Sequence, residues 1–268
     1  MAARNVLVTG GSSGIGEATV RRFAAAGEAV WFTYRSGRNR ATQLVDELRA
    51  EGADALALEL DQGDEDSLER MVDALPGPVD VLVNNAGLGT KTVEAHAPGS
   101  ARAQDEALMR VDGLGPLWLT DLLVPGMLDR GYGKVVFVAS VGGGIAVFPQ
   151  FRRAEQMAKA GVAYLARQLA AELVHTPVDV TCVCPGAVDT PMFRASTLDG
   201  LDAGERRAVE ARMPKGRLIE PAEIAEVVHW LTTDAGRVLH GAVLDASLGL
   251  GVHPGLLTAG MLAPEDGS

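Results

Sequence analysis

Residues 5–16 read NVLVTGGSSGIG: four residues of strand character run straight into a glycine-rich loop. The loop opens a helix predicted over 15–26, which Gly27 ends. Glycines 10, 14 and 16 fall where a backbone must turn tightly, approach a pyrophosphate and present N–H groups at a helix start. Glycine-rich turns alone are common, but a strand before and a helix after make this one specific. It predicts a dinucleotide site cradled by Gly10, Ser12, Ser13, Gly14, Ile15 and Gly16.

Outward from this loop, short apolar runs alternate with helical spacing to the end of the chain. Further strands are predicted at 29–33, 55–59, 79–83, 134–139, 178–183 and 243–245. Helices are predicted at 40–51, 65–75, 101–130 and 154–174, with another opening at Pro221. Strands this continuously apolar belong in a parallel sheet covered on both faces. The expected fold is therefore α/β, a doubly wound parallel sheet in a Rossmann-type three-layer α/β/α arrangement. No linker or repeat interrupts it, so one domain is expected over 1–253, followed by a loose tail over 254–268.

The totals narrow the function. A chain of 268 residues, 47% hydrophobic and 22% charged, has the composition of an ordinary globular protein. A formal net charge of -11 argues against nucleic acid as a partner, because phosphate binding needs clustered Lys and Arg. No run of 18 apolar residues suggests a membrane span, and the start lacks the basic and apolar regions of a signal peptide. Cys182 and Cys184 share one face of a strand, where a disulfide fits poorly, so both read as reduced residues of a cytoplasmic protein. His96, His175 and His229 have no partners at ligand spacing, so no metal site is expected.

The second strand ends FTYRS, with no acidic residue to hold a ribose 2′-hydroxyl. Arg35, with Arg38 and Arg40 nearby, offers positive charge for a 2′-phosphate instead, which favours NADP(H) over NAD. The third strand runs into Asp61 and Gln62. Asp61 could accept from an adenine amino group or could simply cap the helix at 65–75.

The fourth strand leads into NNAG at 84–87, and the fifth releases Ser140 at its carboxyl end. Lys159 follows on the next long helix, then Cys184-Pro185-Gly186 with Thr190. In this order, from Asn5 to Gly251, the motifs resemble the short-chain dehydrogenase/reductase family. The resemblance implies an oxidoreductase with cofactor contacts from Asn84, Asn85, Ala86, Gly87, Lys159, Gly186 and Thr190, alongside those of the first loop, Arg35, Asp61 and Gln62. It also implies four catalytic positions: a serine bonding the substrate oxygen, a tyrosine as acid or base, a lysine four residues later, and an asparagine in a proton relay. Ser140 and Lys159 match. Glu155 stands in the tyrosine slot and Asp112 in the asparagine slot, while Tyr132 and Tyr164 fit neither. An ionised glutamate beside a lysine ammonium cannot donate a proton to a ketone, unless burial or repulsion raises its pKa.

Three readings follow. One is an NADP(H)-linked oxidoreductase acting on a carbonyl or alcohol, or on an imine or amine whose cation Glu155 or Asp112 stabilises. The second is a non-redox lyase, isomerase or cyclase with Glu155 as base. The third is an inactive NADP-binding protein. The plain structural alternative is an i,i+4 ion pair of Glu155 with Lys159, and an arginine partner for Asp112. By the resemblance, the segment 192–216 reads as a substrate lid and the long helices as the contacts of a homodimer or homotetramer. Apolar residues over 145–151 suggest a small substrate of moderate carbon content. Residues 247–251 either close the pocket or lie at an interface.

Overall fold

The structure, a computed structural model, describes residues 3–253. The expected tail lies outside them. Seven strands form one parallel sheet: β1 Asn5–Val8, β2 Ala29–Tyr34, β3 Ala55–Glu59, β4 Val81–Asn84, β5 Gly133–Val138, β6 Val178–Pro185 and β7 Val243–Ala246. Their order is β3-β2-β1-β4-β5-β6-β7. The chain builds outward from β1 in one direction, then returns and builds outward from β4 in the other. Between β1 and β4, paired Val6 to Val81 and Val8 to Val83, the direction of winding reverses. At that reversal the loops beyond the carboxyl ends part and leave a crevice.

The connecting helices are α1 Gly14–Ala25, α2 Arg38–Ala50, α3 Glu65–Asp73, α4 Val93–His96, α5 Ala101–Leu108 and α6 Gly115–Arg130. They continue with α7 Val141–Gly144, α8 Arg153–Glu172, α9 Pro191–Phe193, α10 Ala203–Arg212 and α11 Pro221–Leu231. Side chains alternate between the two faces of each strand. Leu7, Leu82, Val135 and Phe137 pack under Leu119, Met127, Val162 and Ala166 of α6 and α8. Val6, Val8, Phe32, Val83 and Val136 pack against Val20 and Phe23 of α1 and Val228 of α11 on the other side. This two-sided burial explains why the strands are apolar at nearly every position.

The helix expected over 101–130 is not uniform. Residues 109–114 form a π-type turn between α5 and α6, and that turn carries Asp112. Spacing of apolar residues cannot register one extra residue per turn, so the sequence showed only a long helix. Asp64, not Asp61, caps α3, its carboxylate accepting from the Asp66 N–H at 3.0 Å.

Candidate active site

A cavity of about 1340 Å³ occupies the crevice at the carboxyl ends of the strands. Its floor is the loop from β1 to α1. Gly10 and Gly14 have φ of +66° and +56°, a region glycine adopts without strain. At Gly16 the need is close approach: a Cβ there would lie 2.2 Å from the Gly10 carbonyl oxygen. Ser12, Ser13 and Ile15 line the same wall, and the Ser13 hydroxyl caps nothing. The NNAG turn is tied to this loop. Thr9 Oγ1 accepts from the N–H groups of Asn85 and Ala86 at 3.0 and 2.9 Å, and Asn85 Nδ2 donates to the Thr9 carbonyl at 2.9 Å. A loop folded this tightly, with bare backbone facing the cavity, fits a pyrophosphate.

Asn85, Ala86, Gly87, Gly186 and Thr190 all line the cavity. Asn84 does not. It is buried at the end of β4 and donates to Thr120 Oγ1 of α6 at 3.1 Å, so the contact expected of it is replaced by a bond that holds a helix to the sheet.

At one end of the cavity Arg35 and Arg40 project from the β2–α2 region. Arg35 Nε lies 2.9 Å from Asp61 Oδ2, so its charge is already matched by a carboxylate. Arg38 pairs with Glu59, whereas Arg40 has no ion-pair partner among the described residues. Gln62 lines the cavity with its amide anchored to the Val111 carbonyl at 2.8 Å.

At the other end, β5 delivers Ser140. Its Oγ accepts from the Gly142 N–H at 3.1 Å, which leaves the hydroxyl hydrogen free to donate into the cavity. The glycine run that follows is a packing requirement. A Cβ on Gly143 would sit 2.4 Å from the Lys159 Cβ, so α7 lies directly against α8 and holds Lys159 near Ser140. Leu250 packs with Val141 and Phe148 behind this loop, so residues 247–251 brace it and do not line the cavity. Only Pro149, Gln150 and Phe151 of the apolar stretch 145–151 face the cavity; Val147 is 79% exposed elsewhere.

The two carboxylates behave differently from each other. Asp112 is fully buried behind the cavity wall. Its Oδ1 accepts from the Leu88 N–H at 2.7 Å and its Oδ2 lies 3.4 Å from Lys159 Nζ. Burial raises its pKa from the ordinary 3.8 to about 6, opposed by Lys159 and the Leu88 N–H and assisted by the charge of Glu155. Glu155 lines the cavity, and its Oε2 accepts from the Thr90 N–H at 2.7 Å and from the Thr90 hydroxyl. The alternative of an i,i+4 ion pair of Glu155 with Lys159 is therefore not realised, and the partner of Asp112 is a lysine and not an arginine. Lys159 turns toward the buried acid because an unpaired carboxylate there is the costlier alternative. Thr90 is the residue that sequence reasoning missed. It sits in an irregular loop with no motif, and only the fold brings it to α8.

A sequence model described as short chain dehydrogenase matches residues 4–200. The chain belongs to the short-chain dehydrogenase family. Among its relatives, the 3-oxoacyl-[acyl-carrier-protein] reductase MabA of Mycobacterium tuberculosis is 32% identical, over 93% of this chain and 94% of its own. The acetoacetyl-CoA reductase of Cupriavidus necator is 33% identical, over 95% and 100%. Among solved structures, a variant actinorhodin polyketide ketoreductase with NADPH superposes with a TM-score of 0.82 at 32% identity, covering 93% of this chain and 97% of the other. Family membership accounts for the order of the motifs and for the seven-stranded sheet. Among the described residues of this short-chain dehydrogenase, no helix is long and apolar enough to cross a membrane.

Proposed function

We propose that this short-chain dehydrogenase is an NADP(H)-dependent oxidoreductase acting on a carbonyl, alcohol, imine or amine carbon of a moderately apolar small molecule. The observation that carries this reading is one continuous cavity in which the glycine cradle, Arg35 and Arg40, the NNAG turn, Ser140, Glu155 and Lys159 all meet. The relative solved with NADPH supports the same cofactor. When bound, the nicotinamide supplies or accepts hydride. The chain's own groups do the rest. Ser140 donates its hydroxyl hydrogen to the substrate heteroatom and orients it. Lys159, 12% exposed at its side chain, holds a proton at Nζ at the cavity wall, with Asp112 behind it to hold the ammonium in place. We place Glu155 in the family's tyrosine position and Asp112 in its asparagine position, so the proton donor is not a phenol.

The segment from Met192 to Leu201 borders the cavity, and Leu198, Val209, Met213 and Leu218 form a small core of their own beneath it. We assign 192–216 as the substrate lid of a single domain over 1–253. Exposed Leu122, Met157 and Tyr164 on α6 and α8 support a homodimer or homotetramer formed through these helices. The Thr90 clamp on Glu155 favours a second reading, NADP(H) binding without turnover, because a clamped carboxylate is a poor proton carrier.

Fluorescence titration with NADPH and NADH, then loss of NADPH absorbance against a panel of ketones and cyclic imines, separates the two readings. Saturable NADPH binding with turnover of at least one class supports the oxidoreductase. Binding with no turnover of any substrate supports the second reading.

A further inference from the structure

The two carboxylates near Lys159 are not equivalent toward a ligand. Asp112 is spent on Lys159 and does not reach the cavity. Glu155 does reach it. Its Oε2 is fixed by the N–H and hydroxyl of Thr90, while its Oε1 accepts no hydrogen bond among the described residues. Thr90 is itself held, since its Oγ1 accepts from the Arg152 N–H at 2.9 Å. The Arg152 guanidinium is anchored in turn by Asp105 at 2.6 and 2.9 Å, by Gln104 at 2.9 Å and by the Ala101 carbonyl at 2.8 Å. One oxygen of Glu155 is thus immobilised, and the other is a preorganised acceptor on a side chain that lines the cavity. Such an acceptor loses little freedom when a donor arrives.

The charges around it point the same way. Lys159 is matched by Asp112. Exposed Lys91, in the loop before α4, and exposed Asp199, in the segment after α9, line the same cavity. With Lys159 paired to Asp112, Glu155 lines the cavity with no ion-pair partner among the described residues. A ligand with no N–H or O–H would leave the free oxygen of Glu155 without a donor once water is displaced, and a cationic N–H makes a stronger, charge-assisted bond to it than a neutral donor does.

We infer that the substrate half of the cavity is a cation subsite, in which Glu155 Oε1 accepts the N–H of a protonated amine or iminium on a small, carbon-rich molecule. Thr90 is its positioning residue. The hydride step rests on the oxidoreductase reading above, but binding of the cation does not. For an iminium, hydride adds to carbon, the C=N π pair moves to nitrogen and the positive charge is lost as the neutral amine forms. The amine then takes its proton from water. No acid of tyrosine type is needed, which fits a site with a carboxylate in its place.

Isothermal titration of the full-length protein at neutral pH with cyclohexylamine, cyclohexanol and cyclohexanecarboxylate, with and without saturating NADPH, tests the subsite. The protonated amine is expected to bind at least about ten-fold more tightly than the alcohol, as a charge-assisted hydrogen bond requires. The carboxylate is expected to bind most weakly. Glu155→Gln should abolish the preference, Thr90→Val should reduce it, and Thr90→Ser should retain it, with each variant's melting temperature confirming that it is folded. Equal affinity for amine and alcohol, no measurable binding of the amine, or a preference that survives Glu155→Gln overturns the subsite. Failure of the oxidoreductase reading shows separately, as absence of NADPH turnover.

Discussion

Asp112 and Glu155 show how far the identity of a residue can be separated from its state. Both are carboxylates near the same lysine, yet one is sealed behind the cavity wall and the other is presented to it. The raised pKa of Asp112 has a direct consequence. Between roughly pH 4 and pH 6 the folded protein retains a proton on Asp112 that the unfolded chain has released. Stability relative to an Asp112→Asn variant should therefore fall as pH rises through that window, by on the order of 3 kcal/mol, and be flat above and below it. Urea unfolding of both proteins across pH 3–8 checks this, since carboxylates remote from Asp112 cancel in the difference. A difference independent of pH would mean that Asp112 titrates normally. From sequence, the register of Lys159 located Glu155, and NNAG located the turn beside it. The partners of each carboxylate were not legible. Helical spacing names which residues share a face, whereas Thr90 and Leu88 reach α8 and Asp112 only through an irregular loop.

Elements position these groups through close backbone approach, and Gly143 and Gly16 are two of the places where it is tightest. Gly143→Ala would place a methyl 2.4 Å from the Lys159 Cβ and push α7 off α8. The expected cost is about 1–3 kcal/mol in thermal unfolding, with any turnover reduced as Lys159 moves from Ser140. Gly16→Ala strikes backbone, the Gly10 carbonyl oxygen, at 2.2 Å. It should weaken NADPH at least about ten-fold in fluorescence titration while leaving the far side of the sheet intact. Unchanged affinity would show that the β1–α1 loop is not the phosphate cradle. At this scale the strands were legible to within about two residues at each end, because burial on both faces writes a nearly unbroken apolar run. The π-type turn at 109–114 was not, and neither was the outward direction of Val147, since an apolar residue in a loop carries no periodicity to orient it.

For the whole molecule, the order β3-β2-β1-β4-β5-β6-β7 follows from alternating strands and helices with a single reversal of winding, and the reversal decides where the cavity forms. A ligand seated there touches loops from both halves of the sheet, so it should stabilise the fold as a unit. NADPH at about one hundred times its dissociation constant is expected to add about 2.7 kcal/mol, a rise in melting temperature of roughly 5–10 °C, with a smaller rise for NADH at the same concentration. A larger rise with NADH would reverse the cofactor preference and show that Arg35, already matched by Asp61, does not select for a 2′-phosphate. The chemistry itself is decided by turnover. The most direct measurement is consumption of NADPH by the purified protein against paired ketones and cyclic imines of the same carbon frame. Hydride transfer is expected, faster to the iminium than to the ketone. Saturable NADPH binding with no consumption by either member of any pair would contradict it.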